Sequence, residues 1–171
     1  MFKHFLPFPL NRTLWGGLAL GSATALCIAL YYQYIQEAAP CILCVYIRLA
    51  FLCTFLFSLL QSLYAEYKAL VVILMMGNIV SAFWGIQIAY ELFDLQTNPP
   101  LMATCSFSPD FWLPLEQWAP WFFLPTGSCT DEATYIIGLS MASWSLIGFG
   151  LHLVTLLLSI TFPSSQKLNN R

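Results

Sequence analysis

Apolar residues run along this chain in four long, nearly unbroken blocks, and the polar residues gather between them. The blocks are Leu14 to about Ile35, Cys41 to about Tyr64, Ala69 to about Tyr90, and about Ala142 to Phe162. Each holds about 20 or more mostly apolar residues, which at about 1.5 Å rise per residue covers the ~30 Å hydrocarbon core of a bilayer as a helix. A backbone in lipid must satisfy its polar groups within its own segment, so the blocks predict α-helices. The expected architecture is an all-α membrane protein. A single integral domain over residues 1–171 forms a four-transmembrane-helix bundle, with a long outer loop at about 91–140 between helices three and four. The first block competes with a secretory signal, since Ala38-Ala39 is a small-residue site. Its apolar run of about 22 residues exceeds the roughly 7–15 of a signal core, so it reads as a retained anchor.

Composition agrees: 59% of the chain is hydrophobic and 8% is charged, against about 25% charged in soluble domains. The basic residues form no patch, which argues against nucleic acid as a partner. Their distribution sets an orientation. Lys3, Arg12, Lys68, Lys167 and Arg171 lie in the termini or the short second connection. The other two connections hold Glu37, Glu91, Asp94, Asp110, Glu116, Asp131 and Glu132, with no Lys or Arg. The excess of basic residues on cytoplasmic loops predicts that both termini are cytoplasmic, with the stretch from Glu37 to Cys41 and the 91–140 loop facing outward.

Four of the six cysteines fall on that outer, oxidising side: Cys41 and Cys44 at the mouth of the second span, Cys105 and Cys129 in the loop. Cys27 and Cys53 lie inside spans and read as small packing residues. Cys105 and Cys129, 24 residues apart, admit a purely structural reading, since a bridge between them would stabilise by roughly 3 kcal/mol. A bridge between residues three apart closes too small a loop for that, so Pro40-Cys41-Ile42-Leu43-Cys44 reads as a redox device. Thiol–disulfide exchange needs a thiolate, and the unpaired N–H groups of a helix start favour an anion there. Pro40 suits the position just before the first turn. Arg48 stands four residues beyond Cys44, on the same helix face, and an arginine inside a span marks a site by default; snorkelling to the interface is its bland alternative. Zinc would need two more ligands, and the two histidines, His4 and His152, lie on the cytoplasmic side and mid-span; no metal is expected.

The loop's middle, Phe111 to Phe123, is dense in aromatics and suits the headgroup region. Gly127-Ser128 and Ser106 to Pro109 supply freedom around Cys129 and Cys105. On the third span, Ser81 and Gln87 are near enough to the outer half to line a pocket, although helix–helix hydrogen bonding is the commoner role of such residues. His152, mid-way along the fourth span, reads as an interhelical hydrogen-bonding residue.

These motifs resemble the DsbB family of bacterial disulfide bond formation proteins. The resemblance covers nearly the whole chain. It rests on Pro40-Cys41-Ile42-Leu43-Cys44-Val45-Tyr46 with Arg48, on Ser81-Ala82-Phe83 with Gly85, Gln87, Tyr90 and Glu91, on Ala103-Thr104-Cys105, on Trp112-Leu113-Pro114-Leu115 with Trp118 and Pro120, and on Gly127-Ser128-Cys129. It implies a monomeric thiol:quinone oxidoreductase in the bacterial inner (cytoplasmic) membrane. Cys105 and Cys129 would oxidise a periplasmic, DsbA-like thioredoxin-fold partner, with Cys105 the sulfur attacked. Cys41 and Cys44 would re-oxidise that pair, and a membrane quinone, ubiquinone or menaquinone, would take the electrons at Cys44. Arg48, with Gln87 and Glu91, would complete the quinone site. Family members often carry Glu before that arginine and His after the Tyr-Glu of the third span; here Ile47 and Leu92 stand there. The second departure also fits the DsbI-like branch, which serves a dedicated partner. The rival readings are a membrane scaffold with structural disulfides and a metal-handling membrane protein.

Overall fold

The computed structural model describes residues 12–98, 114–127 and 135–161. Cys105 and Cys129 lie outside them, as do Trp112 and Leu113. Four long helices run up and down: α1 (Arg12–Tyr34), α2 (Ile42–Leu63), α3 (Lys68–Thr97) and, after a longer connection, α6 (Met141–Thr161). All four are long and apolar enough to cross a membrane. Between α3 and α6 stand two single-turn helices, α4 (Leu115–Trp118) and α5 (Pro120–Phe123), and a small hairpin of β1 (Tyr135–Ile136) and β2 (Leu139–Ser140).

Three helices match their apolar blocks to within about two residues. The third overruns its block. α3 continues about two turns beyond Tyr90 to Thr97, so Glu91 and Asp94 are helical. The cause is visible in the packing: Leu92 is buried, and Phe93 and Leu95 still lean on the core. Pro99-Pro100 then follow in the sequence, and a residue before proline is biased away from helical backbone.

The main core lies between α2, α3 and α6 and includes Val45, Ala50, Phe51, Ala82, Ala89, Leu92 and Phe149. The Phe51 and Phe149 rings stack with centroids 4.0 Å apart. Gly85 permits this, since a Cβ there would come within 2.5 Å of the Phe149 ring. A second cluster, Trp15, Met75 and Leu156, fills the opposite end. Leu20, Ile73, Val80, Phe83, Leu151 and Leu157 point outward. Such an apolar exterior suits lipid, which is as apolar as leucine. Exposed aromatic residues mark both ends: Tyr64 and Tyr67 at one, Tyr31, Tyr34, Tyr90, Trp118, Trp121 and Tyr135 at the other. Their placement matches the aromatic belts of membrane interfaces.

A polar network sits in the bundle interior. Asn78 donates to Ser58 Oγ (2.8 Å) and Gln61 Oε1 (3.1 Å), and its Oδ1 lies 2.9 Å from His152 Nε2. An amide oxygen only accepts, so the network assigns the proton to His152 Nε2. All four residues are buried. His152 is thus an interhelical hydrogen-bonding residue that joins α6 to α3.

Candidate active site

Cys41 is the N-cap of α2: its backbone is extended (φ −77°, ψ 170°), and its Sγ accepts from the Cys44 N–H at 3.3 Å. Serine or aspartate commonly fills this role with an oxygen; here the acceptor is a sulfur at the positive end of the helix. One turn on, Cys44 brings its Sγ to 2.8 Å from that of Cys41. Cys41 is buried and Cys44 partly exposed, so within the pair Cys44 is the more accessible sulfur.

What Cys44 faces is a cavity of about 390 Å³. Its walls come from α1 (Gly21, Ala25, Ala29, Gln33), from α2 (Cys44, Ile47, Arg48, Phe51), from α6 (Met141, Trp144, Ser145), and from Leu92 on α3. The hairpin contributes Ile136 and Ile137, and Trp144 Nε1 fastens it by donating to the Ile136 carbonyl at 2.8 Å. Among the described residues Arg48 is the sole charged one in the lining. Along α1 the cavity extends from Gly21 to Gln33, twelve residues or about 18 Å of helix. The lining is mostly apolar, with a sulfur and a cation at one end. That donor set fits a lipid-soluble molecule with a reducible polar head and an apolar substituent.

The cation is fixed from across the bundle. Arg48 is 5% exposed. Its Nη1 donates to Gln33 Oε1, and its Nη2 makes a long contact, 3.5 Å, to the Ala29 carbonyl. Both acceptors belong to α1. The i, i+4 relation of Cys44 and Arg48 was legible in the sequence, and both line the cavity. Gln33 was missed; an amide near the end of an apolar span was the available signal. Gln87 and Glu91 are exposed on α3 and do not line the cavity. They share a face four residues apart, whereas Ile88 and Leu92 occupy the face turned to the bundle. Leu92 therefore stands at the wall where those polar neighbours were expected.

The connection between α3 and α6 returns to the cysteine pair at Thr126 and Gly127. Thr126 N and Gly127 N both donate to the Pro40 carbonyl, each at 3.0 Å. The approach needs glycine, since a Cβ on Gly127 would lie 2.5 Å from the Ala39 oxygen. Gly127 thus packs beside the residue that precedes Cys41, and it stands two residues before Cys129 in the sequence. Upstream, the Tyr34 hydroxyl donates to the Trp121 carbonyl, tying α5 to the end of α1. Phe122 and Phe123 are buried, while Trp118 and Trp121 are exposed.

Comparison with known proteins gives the family. The family described as "Disulfide bond formation protein DsbB" matches residues 11–159. A protein of Shewanella frigidimarina (strain NCIMB 400) named "Disulfide bond formation protein B" is 41% identical over 152 residues, covering 88% of this chain and 90% of that protein. One of the same name from Shewanella sp. (strain MR-4) is 41% identical over 159 residues, covering 91% and 90%. A third, from Shewanella loihica (strain ATCC BAA-1088 / PV-4), is 37% identical over 157 residues, covering 90% and 91%. With its four apolar helices and its cysteine pair at the start of α2, the chain belongs to the DsbB family of membrane disulfide bond formation proteins.

Proposed function

We propose that this protein is a thiol:quinone oxidoreductase that re-oxidises a periplasmic thioredoxin-fold, DsbA-like dithiol enzyme. The observation that carries the reading is the cavity that joins Cys44 to Arg48 in a mostly apolar lining. In the reading, a partner thiolate attacks Cys105 of a Cys105–Cys129 disulfide. The partner leaves as a disulfide, and two thiols remain on the loop. The freed thiolate of Cys129 then attacks the Cys41–Cys44 disulfide, and the second loop thiol resolves the bond so formed, which leaves Cys41 and Cys44 reduced. The backbone tie between Gly127 and Pro40 supports this order, because it brings the chain leading to Cys129 beside Cys41. Exchange between sulfurs is fastest when the leaving group is a stable thiolate. Cys44 has the helix start and the Arg48 charge to stabilise it.

The cavity residues Cys44 and Arg48 would hold a quinone, ubiquinone or menaquinone. The chemistry supplied there is acceptance of two electrons and two protons, which returns Cys41 and Cys44 to the disulfide. Arg48 orients and supplies positive charge, Ile47 and Leu92 exclude water, and the hairpin closes the outer side. The basic residues at the termini and the second connection support cytoplasmic termini and an outward-facing cysteine pair in the bacterial inner membrane. We take the working unit to be a monomer.

The test supplies membranes with a reduced thioredoxin-fold partner and a quinone, and follows quinone reduction. Cys44→Ala is expected to abolish turnover, and Arg48→Ala to impair quinone use more than partner oxidation. Intact turnover in Cys44→Ala would refute the enzyme reading. Equal losses in both half-reactions of Arg48→Ala would assign Arg48 to folding.

A further inference from the structure

We infer that Gln33 is the positioning residue of this site: it aims the Arg48 guanidinium into the cavity beside Cys44 through a neutral acceptor that leaves the positive charge unquenched. The inference rests on the proposed placement of the redox site at Cys44 and adds a residue on another helix to it. A guanidinium has five N–H donors and four rotatable side-chain bonds, so α2 alone does not fix its direction. The two hydrogen-bond acceptors it meets among the described residues come from α1, and both are neutral: the Gln33 side-chain oxygen and the Ala29 carbonyl. Among the described residues the ion pair present is Arg12 with Glu66, at the opposite end of α1. Intramembrane cations are usually paired, because an isolated buried charge is costly. Here Ile47, next to Arg48 in the chain, and Leu92 on α3 are apolar walls of the same cavity. An amide at position 33 supplies the acceptor geometry of a carboxylate without its charge. The guanidinium stays positive for an anion formed inside the cavity, such as the thiolate of Cys44 in the same lining.

Two near-isosteric substitutions separate geometry from charge. Gln33→Glu keeps an acceptor but ionises next to Arg48 and cancels its field. Gln33→Met removes the acceptor and keeps the charge. The readout is the rate at which iodoacetamide alkylates Cys44 at pH 7 in fully reduced, detergent-solubilised full-length protein stripped of quinone, resolved by peptide mass spectrometry. Arg48→Met sets the level with no positive charge. Gln33→Glu is expected to fall about tenfold below the unsubstituted protein, to the Arg48→Met level. Gln33→Met is expected to lie between the two, with a raised KM for quinone and a smaller change in kcat. Alkylation of Gln33→Glu at the unsubstituted rate would overturn the inference. If Gln33→Glu does not fold, an unsubstituted rate in Gln33→Met overturns it instead. The alkylation assay involves no quinone turnover, so it stands or falls separately from the proposed enzyme activity.

Discussion

The tie between Gly127 and Pro40 gives a sharp prediction, because it rests on backbone geometry. Replacing Gly127 by alanine would put a Cβ 2.5 Å from the Ala39 oxygen and 3.0 Å from the Ala39 carbonyl carbon. Neither is the far end of a flexible side chain, so the segment at Thr126 and Gly127 must lift away. Lifting it breaks two N–H···O contacts to the Pro40 carbonyl, each 3.0 Å. A hydrogen bond contributes about 0.5–1.5 kcal/mol net, so the segment loses roughly 2 kcal/mol of docking. That corresponds to a roughly 30-fold lower local concentration of the following chain beside Cys41. Thr126 and Gly127 do not line the cavity, which the tie meets only at Ala39 and Pro40. Turnover of quinone driven by a small dithiol should therefore stay within about twofold of the unsubstituted protein, while turnover driven by the reduced thioredoxin-fold partner should drop by an order of magnitude or more. The two assays run on the same detergent-solubilised protein. Partner-driven turnover at the unsubstituted rate in folded Gly127→Ala would refute the docking argument. Equal losses in both assays would show that the segment holds the cavity together instead.

Two further predictions concern the bundle itself. Asn78→Leu removes the partner of Ser58, Gln61 and His152 together; with hydrogen bonds inside membranes worth about 0.6 kcal/mol on average, the expected loss is about 2 kcal/mol. Ser22→Ala breaks the single 3.2 Å contact to Thr54, which keeps its bond to the Phe51 carbonyl, so it should cost about 0.6 kcal/mol or less; unfolding in a mixed-detergent titration that ranks the two equally would contradict the network. Gly85→Ala should destabilise by about 1–3 kcal/mol through overpacking against Phe149, and Phe149→Leu added to it should recover part of the loss in the same titration, whereas additive losses would mean that the two sites do not touch.

Helix existence was legible because a span must be apolar throughout, and that requirement needs no knowledge of neighbours. The end of α3 was not, because polarity and helicity part company once the chain leaves lipid: Glu91 and Asp94 are polar, helical and exposed. Here the proline pair at 99–100 was the better stop signal. The site was half legible for a related reason. Cys41, Cys44 and Arg48 share one helix, so their mutual placement follows from helical spacing. The contacts of Arg48 with Gln33 and of Pro40 with Gly127 join segments distant in sequence, and the second uses backbone atoms with no side-chain signature beyond a glycine.

The polar residues of α3 show how much rotation about a helix axis could nonetheless have been constrained. Asn78 and Gln87 stand nine residues apart, which at about 100° per residue places them on opposite faces. They could not both face the interior of one bundle. An amide deep in the membrane has the stronger claim to the interior, because it has no water to turn to, and His152 at a comparable depth on the fourth span was a ready partner. Assigning Asn78 to the interior turns Gln87 outward and takes Glu91, four residues on, with it. The same rotation brings Gly85 and Leu92, seven and fourteen residues from Asn78, onto the inner face. Gly85 meets Phe149 there and Leu92 meets the cavity. The depth of one polar residue thus fixes the angular setting of the whole helix, and with it the absence of an α3 carboxylate beside Arg48.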